Sequence, residues 1–291
     1  MDELELANRF DRQRPQLRAV AYRILGSPTE SDDAVQEAWL RLQRTDAEQI
    51  DSLERWLTTV VARICLNMLR SRRTRGEQPL DGFLPEPIID DPAAGTDPEH
   101  EALLADSVGI ALQVVLDTLS PAERLAFVLH DMFAVPFDEI AAMVDRSPEA
   151  TRQLASRARR RVRETAPAPD PDLTRQQAVV DAYFAAAREG DLEALVAVLD
   201  PDVVLRAHRR DGDPVELHGA EQVARGAMAA RRFGAYVRSA LVNGAAGAVA
   251  FDGEHPFAVL AFTVVGDRAV AVDVFNDPEL VAKLDIRGVA A

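Results

Sequence analysis

The chain has 291 residues, enough for two or three domains, and 47% of them are hydrophobic, which is a globular composition. Its formal net charge of −15 argues at first sight against a nucleic-acid-binding protein. A single cysteine excludes an internal disulfide, no apolar run has the length of a membrane span, and the acidic N-terminus lacks a signal-peptide pattern. We therefore expect a cytoplasmic protein. The five histidines are widely spaced and no phosphate-binding glycine loop occurs, so neither a metal nor a cofactor is expected.

The negative charge is unevenly distributed along the chain. Residues 1–75 hold 13 arginines against 12 acidic residues, and residues 108–165 hold eight of each. Residues 76–107 hold nine acidic residues and no basic one, and residues 166–291 hold 19 acidic and 12 basic residues. The acidity thus belongs to one linker and to the C-terminal part. The two remaining segments are close to neutral and carry their arginines near their C-terminal ends, so DNA binding by these segments is not excluded.

The first 75 residues predict three amphipathic helices. Gly26 is placed to end the first helix, and Ser27 with Glu30 has the spacing of a capping box for the second. The third helix has the clearest apolar periodicity, over residues 53–68, and runs into an arginine-rich tail. Three such helices imply a small helical bundle.

The segment of residues 76–107 predicts an extended, solvated linker. It contains five prolines and nine acidic residues, and a helix resumes near Glu99. Its one apolar stretch, residues 83–89, is a candidate docking segment.

A second helical module is predicted over residues 108–165. Ser120-Pro121-Ala122-Glu123 combines an N-cap serine, a proline at the first helical position and a glutamate three residues after the serine. A short helix over residues 137–144 is followed by a turn at Asp145-Arg146. Ser147-Pro148 then opens a longer helix that carries six arginines.

A short helix, a tight turn and a longer arginine-bearing helix form the layout of a helix-turn-helix. The longer helix is expected to bury Leu154, Ala158 and Val162. Its capped N-terminus presents backbone amides to phosphate. The side chains of its first two turns that can reach base edges are Glu149, Thr151, Arg152 and Ser156. The arginines nearer its C-terminal end are placed for the DNA backbone. An ordinary solvated helix end, with arginines for solubility, is the structural alternative.

Beyond a proline-rich hinge at residues 165–174, strand patterns dominate. A helix ending at Gly190 comes first, a second helical stretch covers residues 221–231, and Gly266-Asp267 has the form of a hairpin turn. Helices followed by antiparallel strands predict an α+β domain with a curved sheet over its helices. Candidate acid–base residues in such a domain are Asp202, His208, His218, Asp273 and Asp277.

The two helical modules together resemble the sigma-2 and sigma-4 domains of extracytoplasmic-function (ECF) sigma factors of bacterial RNA polymerase. The stretches that carry the resemblance are Ala21–Ser27, Asp33–Arg41, Trp56–Arg70, Leu119–Arg124 and Ala150–Arg159. Phe83-Leu84-Pro85-Glu86-Pro87 resembles a linker motif of the subgroup with a C-terminal SnoaL-like (NTF2-like) extension. Residues 173–291 look like that extension.

This resemblance implies a multidomain fold with two all-α helical modules and an α+β NTF2/SnoaL-like cone domain. The implied boundaries are 1–75 for the sigma-2 domain, 76–107 for the acidic linker, 108–165 for the sigma-4 domain with its helix-turn-helix, 166–172 for a hinge and 173–291 for a SnoaL-like regulatory domain. The linker would follow the path of the RNA exit channel.

The implied function is a non-enzymatic sigma factor that binds core RNA polymerase and directs promoter-specific transcription initiation. Its C-terminal domain would modulate this activity in cis and is a candidate site for a small ligand. The resemblance assigns polymerase binding to Asp32, Asp33, Gln36, Glu37, Trp39, Leu40 and Arg41. It assigns binding of the melted minus-ten element to Arg63, Asn67, Arg70, Arg72 and Arg73. It assigns recognition of the minus-thirty-five duplex to Glu149, Thr151, Arg152, Ser156, Arg157, Arg159 and Arg160.

The residues with an implied regulatory role are Phe83, Leu84, Pro85, Glu86, Pro87, Asp211, Gly212, Asn276, Asp277 and Pro278. Two of these places depart from the subgroup's pattern. A glycine-rich turn is replaced by the stretch that begins Asp211-Gly212, and the motif near the C-terminus reads Asn276-Asp277-Pro278.

Two alternatives remain open at this point. The first is a one-component, ligand-responsive regulator that uses the helix-turn-helix without polymerase. The second is a SnoaL-like enzyme fused to a DNA-binding module. Binding to core polymerase distinguishes a sigma factor from the one-component regulator. A ligand-sized cavity with a paired acid and base would favour the fused enzyme.

Overall fold

The structure is a computed structural model that describes residues 3–46, 50–74, 85–90, 109–165, 170–208, 215–230, 236–286 and residue 289. These residues form two compact units. The helical unit contains the described residues up to Thr74 together with Gln113–Thr165. The α+β unit contains residues 85–90 and 109–112 and the described residues from Asp170 onward.

The first helical module consists of α1 (Glu3–Leu25), α2 (Pro28–Gln43) and α3 (Leu53–Thr74). Gly26 ends α1 with a φ of 76°, as predicted. Ser27 caps α2 by accepting the Glu30 N–H at 3.3 Å. The predicted capping box is only half formed, because the Glu30 carboxylate pairs with Arg72 of α3 instead of returning to the cap. The core of this module is apolar and is built around Tyr22, Ile24, Leu42, Leu57 and Leu66.

The only cysteine of the sequence, Cys65, is fully buried in α3. Burial raises the pKa of the Cys65 thiol, because the thiolate loses its hydration. We expect the native protein to resist thiol reagents and to react only after denaturation. Absorbance of Ellman's reagent, followed with and without guanidinium, checks this. Full reaction of the native protein at the rate of a free thiol would contradict the buried position.

The second helical module begins with α4 (Ile110–Asp117) and α5 (Pro121–Phe127). The predicted capping box is confirmed, since Ser120 accepts the Glu123 N–H and the Glu123 carboxylate accepts the Ser120 N–H. The helix continues as a π-helical turn over Val128–Met132, which the sequence pattern does not reveal. Such a turn has i→i+5 hydrogen bonds and occurs mostly as a single turn within a longer helix.

The helix-turn-helix follows as α6 (Phe137–Val144) and α7 (Pro148–Thr165), joined at Asp145 with a φ of 58°. The predicted boundaries are confirmed, but the inner face of α7 is rotated. Thr151, Ala155 and Ala158 are buried, whereas the expected Leu154 and Val162 are only half-buried. Small side chains on this face let α7 pack closely on α5.

The α+β unit has two helices, α8 (Leu173–Glu189) and α9 (Leu192–Ala197), before most of its strands. The strands and remaining helices are β1 (Ile89–Asp90), β2 (Leu199–His208), β3 (Val215–His218), α10 (Ala220–Ala230), β4 (Tyr236–Val242), β5 (Ala245–Asp252), β6 (His255–Val265), β7 (Arg268–Phe275) and α11 (Pro278–Lys283). The sheet order is β1-β4-β5-β6-β7-β2-β3. The expectation of an antiparallel sheet is wrong for one pair: β2 and β7 are parallel, because α10 and the β4–β6 meander intervene before the chain returns beside β2.

An aromatic cluster occupies the space between the helices and the sheet of this unit. Tyr183, Phe184 and Phe262 meet edge to face, with ring centroids 5.2–5.8 Å apart. Tyr183 and Phe262 are each 3% exposed. The rings are therefore part of the hydrophobic core, and burial raises the pKa of the Tyr183 hydroxyl.

A charged pair is buried on the face of the sheet opposite α8. Arg206 of β2 lies directly across from Asp273 of β7 and binds it through two hydrogen bonds of 2.7 and 3.3 Å. The Asp273 side chain is 1% exposed and that of Arg206 is 24% exposed. The guanidinium compensates the desolvated carboxylate.

Among the described residues, no helix combines the length and apolar character needed to cross a membrane.

Candidate polymerase and promoter interfaces

The residues predicted to bind polymerase share the outer surface of α2. Asp33, Gln36, Leu40 and Arg41 are exposed, and Asp32 and Glu37 are about half exposed at their side chains. Three local contacts hold this surface in shape: Asp32 accepts from Arg18 at 3.1 Å, Glu37 from Arg41 at 2.9 Å, and Trp39 packs on Phe10 with ring centroids 4.9 Å apart. The result is an acidic surface around an exposed leucine, with a half-buried tryptophan at its edge.

The residues predicted for the minus-ten element divide into two groups. Arg63, Asn67 and Arg70 are exposed at intervals of four and three residues, which places them on one stripe of α3. Arg72 is turned back into the module, where it pairs with Glu30 and donates to the Leu25 carbonyl at 3.3 Å. The side chain of Arg73 lies outside the described residues.

Arg63 already has a partner in the second helical module. Its Nη2 donates to the Ala142 carbonyl of α6 at 3.1 Å. On the same side, Arg55 of α3 forms an ion pair with Glu139 of α6. The predicted minus-ten helix and the helix-turn-helix are thus in direct contact within the helical unit.

Most residues predicted for the minus-thirty-five element are exposed on α7. The exposed members are Glu149, Arg152, Ser156, Arg157 and Arg160. Arg159 is 37% exposed and binds Asp131 of the π-turn at 2.7 Å. Thr151 is fully buried and its hydroxyl donates to the Ser147 carbonyl at 3.0 Å. The structure therefore corrects the prediction for Thr151, whose side chain belongs to the core of the module.

Arg152 is held in place by an aromatic platform that sequence reasoning missed. Its guanidinium lies 5.7 Å from the centre of the Phe137 ring, and His130 stacks on Phe137 at 3.7 Å. The His130 Nδ1 lies 3.0 Å from the Val135 carbonyl, which orients the imidazole. A stacked arginine loses less conformational entropy when it binds, so the platform preorganises Arg152 at the start of the recognition helix.

The linker motif docks on the α+β unit through its second half. Pro85 and Pro87 are buried, and Ile88 and Ile89 are 5% and 6% exposed. Strand β1 pairs antiparallel with β4, with Ile89 opposite Val242. Phe83 and Leu84 lie outside the described residues, and Glu86 is half-buried.

Asn243 locks this strand in register. Its Oδ1 accepts the Ile88 N–H at 2.7 Å, and its own N–H donates to the Ile88 carbonyl at 2.8 Å. Asn243 has a φ of 51° and stands before Gly244, which also has positive φ, in the hairpin between β4 and β5. The Asn-Gly pair was a readable hairpin signal, but nothing local indicates that its side chain would receive a distant strand.

The C-terminal motif has a structural task. Asp277 caps α11 by accepting the backbone N–H groups of Glu279 and Leu280 at 2.8 and 3.1 Å. Pro278 occupies the first position of that helix, and Asn276 joins it to β7. Asp211 and Gly212 lie outside the described residues.

The candidate acid–base residues do not come together. Asp202 and His218 are exposed, Asp273 is held by Arg206, and Asp277 caps a helix. The side chain of His208 lies outside the described residues. In the part of the chain that the structure describes, no group of His, Cys, Asp and Glu is arranged to hold a metal ion.

Comparison with known protein families supports the interpretation of the two helical modules as sigma-factor domains. Residues 10–75 match the model of Sigma-70 region 2, and residues 110–162 match Sigma-70, region 4. The ECF RNA polymerase sigma factor SigJ of Mycobacterium tuberculosis is 40% identical over 250 residues, which cover 82% of this chain and 79% of SigJ. The probable ECF sigma factor SigI of the same species is 37% identical over 210 residues, covering 72% and 71% of the two chains.

A solved structure extends the likeness to all three parts. The crystal structure of Mycobacterium tuberculosis SigJ superposes with a TM-score of 0.77 at 34% identity and covers 96% of this chain and 99% of that one. The α+β unit, with α8 and α9 ahead of β2 to β7 in a seven-stranded sheet, has the NTF2-like arrangement that the sequence resemblance predicted. With both sigma-70 regions and a relative this similar over most of its length, the chain belongs to the ECF sigma factors of RNA polymerase, which act in transcription initiation.

Proposed function

We propose that this sigma factor works in the cytoplasm with core RNA polymerase, and that its α+β domain modulates promoter recognition in cis by holding the linker between its two promoter-reading modules. In this proposal the outer surface of α2 binds polymerase. The exposed stripe of α3 reads the minus-ten element and the exposed residues of α7 read the minus-thirty-five element. The observation that carries the regulatory part is the pairing of β1 with β4.

The linker is engaged by the α+β unit near both of its ends. Residues 85–90 contribute a strand to its sheet, and residues 109–112, where α4 begins, belong to the same compact unit. The connection between the two modules is therefore attached to the α+β unit at residues 85–90 and 109–112. A domain that fixes points along a linker limits the distances that the linked modules can adopt.

That limit matters because the two promoter elements are far apart. Positions −10 and −35 are separated by about 25 base pairs, or roughly 85 Å of B-DNA at 3.4 Å per step. The modules reach both elements only if the linker gives them enough length. Release or retention of β1 would change the usable length by several residues, each worth about 3.3 Å when extended.

A catalytic role for the α+β domain has no support among the described residues. The relatives are regulators of transcription, and Asp273, the buried carboxylate of the candidate set, is neutralised by Arg206. The small-ligand hypothesis also gains no support from the described residues, because the Tyr183, Phe184 and Phe262 rings pack on one another in the core between the helices and the sheet.

Two variants of neighbouring hairpins test the proposal. Asn243→Gly keeps the positive φ of the β4–β5 hairpin and removes the acceptor for the Ile88 N–H, whereas Asp252→Gly changes an exposed residue at the end of β5 that does not contact the linker strand. Transcription by the reconstituted holoenzyme is measured on promoters whose spacer between the two elements varies in length. We expect Asn243→Gly to transcribe from a wider range of spacer lengths, because one buried hydrogen bond is lost. On the shortest and longest spacers its transcription should exceed that of wild type by about 2- to 10-fold. Asp252→Gly serves as the matched control and should keep the wild-type spacer profile.

Identical spacer profiles for wild type and Asn243→Gly would contradict cis modulation through the linker. Hydrogen exchange of the peptide that contains Ile88 shows independently whether the strand has been released. A profile that stays unchanged although the strand exchanges freely would leave the sigma-factor assignment intact and remove the regulatory role.

A further inference from the structure

The π-turn Val128–Met132 places two successive polar side chains against the helix-turn-helix. His130 stacks on the Phe137 ring of α6, with ring centroids 3.7 Å apart and ring planes inclined by 28°. Asp131, whose side chain is 21% exposed, binds Arg159 of α7. Single π-turns within helices are frequent at functional sites, which makes these two side chains candidates for a functional role.

The loop after the π-turn fixes the imidazole of His130. The Val135 N–H donates to the Leu129 carbonyl at 2.8 Å, and the Val135 carbonyl lies 3.0 Å from His130 Nδ1. Because a carbonyl can only accept a hydrogen bond, Nδ1 carries the proton of the neutral imidazole. The ring therefore has a defined orientation against Phe137, and Phe137 in turn holds the Arg152 guanidinium 5.7 Å from its ring centre.

Asp131 orients the guanidinium of Arg159. Its Oδ1 accepts from the Arg159 Nε at 2.7 Å and lies 2.6 Å from Nη2. Two nitrogens bound to one carboxylate oxygen fix the plane of the guanidinium, and its other donors remain available to DNA. The carboxylate also compensates the charge of Arg159, which weakens this arginine as a phosphate contact on DNA of any sequence.

One short segment thus orients two arginines of the predicted minus-thirty-five set. Arg152 and Arg159 are seven residues apart, which is about two turns or 10 Å of helix, so they lie on the same side of α7. We propose that the π-turn is a positioning element for promoter recognition. His130 acts through the Phe137 ring on Arg152. Asp131 acts directly on Arg159, and the whole inference rests on the proposed function of α7 in reading the minus-thirty-five element.

A positioning role and a purely structural role predict different effects of removing Asp131. A released Arg159 gains phosphate contacts on any sequence, so the salt dependence of DNA binding should become steeper. A fixed contact also sets the register of the recognition helix on the duplex, and a released one does so less well. Loss of Asp131 should therefore make binding less selective. Loss of an ordinary structural contact would instead weaken binding equally on every sequence.

Three variants of the full chain test the role of Asp131. Asp131→Ala removes the contact, and Asp131→Asn keeps the Oδ1 acceptor but removes the charge. The matched control is Asp138→Ala, which removes one negative charge at an exposed position in the first turn of α6. Binding of the reconstituted holoenzyme is measured at several salt concentrations, on a promoter that it transcribes and on single-base variants of the minus-thirty-five element.

Selectivity is the ratio of affinities for the promoter and for its single-base variants. We expect Asp131→Ala to lower this ratio about fivefold and to steepen the slope of log affinity against log salt by about one. Asp131→Asn should restore most of the selectivity, because its amide oxygen still accepts from Arg159. Asp138→Ala should keep the wild-type selectivity.

Two variants test the role of His130. His130→Ala removes the ring that stacks on Phe137 and should lower selectivity about threefold at the base read by Arg152. His130→Phe keeps a ring in that place and should keep the selectivity. In an Arg152→Ala background, His130→Ala should cause no further loss, because it acts only through that arginine.

Wild-type selectivity in Asp131→Ala, in a protein whose circular dichroism matches wild type, would overturn the positioning role. An equally large loss for His130→Ala with and without Arg152 would overturn it as well. Should Asp131→Ala unfold, Arg159→Lys tests the same contact, since lysine keeps the charge but has no plane to fix; wild-type selectivity in that variant would also overturn the role. A wild-type holoenzyme without any base preference in this element would instead refute the proposed function of α7.

Discussion

Replacing Arg206 with Met is expected to destabilise the α+β unit by about 3–5 kcal/mol. The substitution keeps most of the side-chain volume but leaves the Asp273 carboxylate, 1% exposed, without its compensating charge. Removing one partner of a buried pair costs far more than the pair contributes, because an unpaired charge remains out of water. Hydrogen exchange of peptides from β2, β6 and β7 measures the effect in the full chain.

The double variant Arg206→Met with Asp273→Leu is the informative control. It removes both charges and replaces them with apolar side chains of similar size, so stability should return to near the wild-type value. Asp273→Leu alone should cost less than Arg206→Met, because the Arg206 side chain is 24% exposed and Glu216 lies across from it on β3. An Arg206→Met protein as protected from exchange as wild type would refute the energetic role of the pair.

Replacing Arg152 with Ala is expected to weaken promoter binding by about 1–3 kcal/mol, or 5- to 150-fold, and to relax specificity at one position of the minus-thirty-five element. Arg152 is exposed at the start of the second turn of α7 and is oriented by the Phe137 ring, so it is the arginine best placed for a base edge. Holoenzyme binding to promoters that carry each base in turn at each position of the element measures both effects.

Two further variants distinguish base-specific contacts from electrostatic binding to DNA of any sequence. Arg160→Ala removes an exposed arginine on a later turn of α7 and should weaken all sequences about equally, with a reduced salt dependence. Phe137→Leu leaves Arg152 in place without its aromatic platform and should cost about 0.5–1 kcal/mol. Equal losses on every sequence for Arg152→Ala would contradict its role in base reading.

Local signals made most helices and strands predictable from the sequence. The cap at Ser120, the stop at Gly26 and the turn at Asp145 each follow from short-range backbone chemistry, and the structure places them as expected. The strands from β2 onward were likewise visible from alternation and turn residues, whereas β1 lies in the segment predicted as a solvated linker. The parallel pairing of β2 with β7 was not, because no local residue determines which strand a returning chain meets.

The candidate surfaces were predictable as helix faces but not as contacts. Exposure of Arg63, Asn67 and Arg70 follows from their spacing on α3. Arg72 turns inward because it pairs with Glu30 of α2 and with the Leu25 carbonyl at the end of α1. These partners lie on other helices, so the spacing of residues along α3 cannot reveal them. The burial of Thr151 has the same origin, since α7 packs through its smallest side chains rather than its largest.

The contacts of Gln113 and Arg124 with the end of α1, and the Asn243 lock, are long-range features as well. Gln113 and Arg124 contact α1 across about 90 and 101 residues of sequence, and Asn243 binds a strand 155 residues earlier. Such pairs are set by the assembled fold, and a single sequence carries no trace of them.

Transcription in vitro with purified core polymerase from the organism that encodes the chain, on a library of its genomic promoters, is the decisive measurement. Addition of the chain should produce transcripts that begin at defined sites and share two upstream elements, and core polymerase alone should produce none of them. A chain that binds promoter DNA but neither binds core polymerase nor starts new transcripts would contradict the sigma-factor function proposed for it.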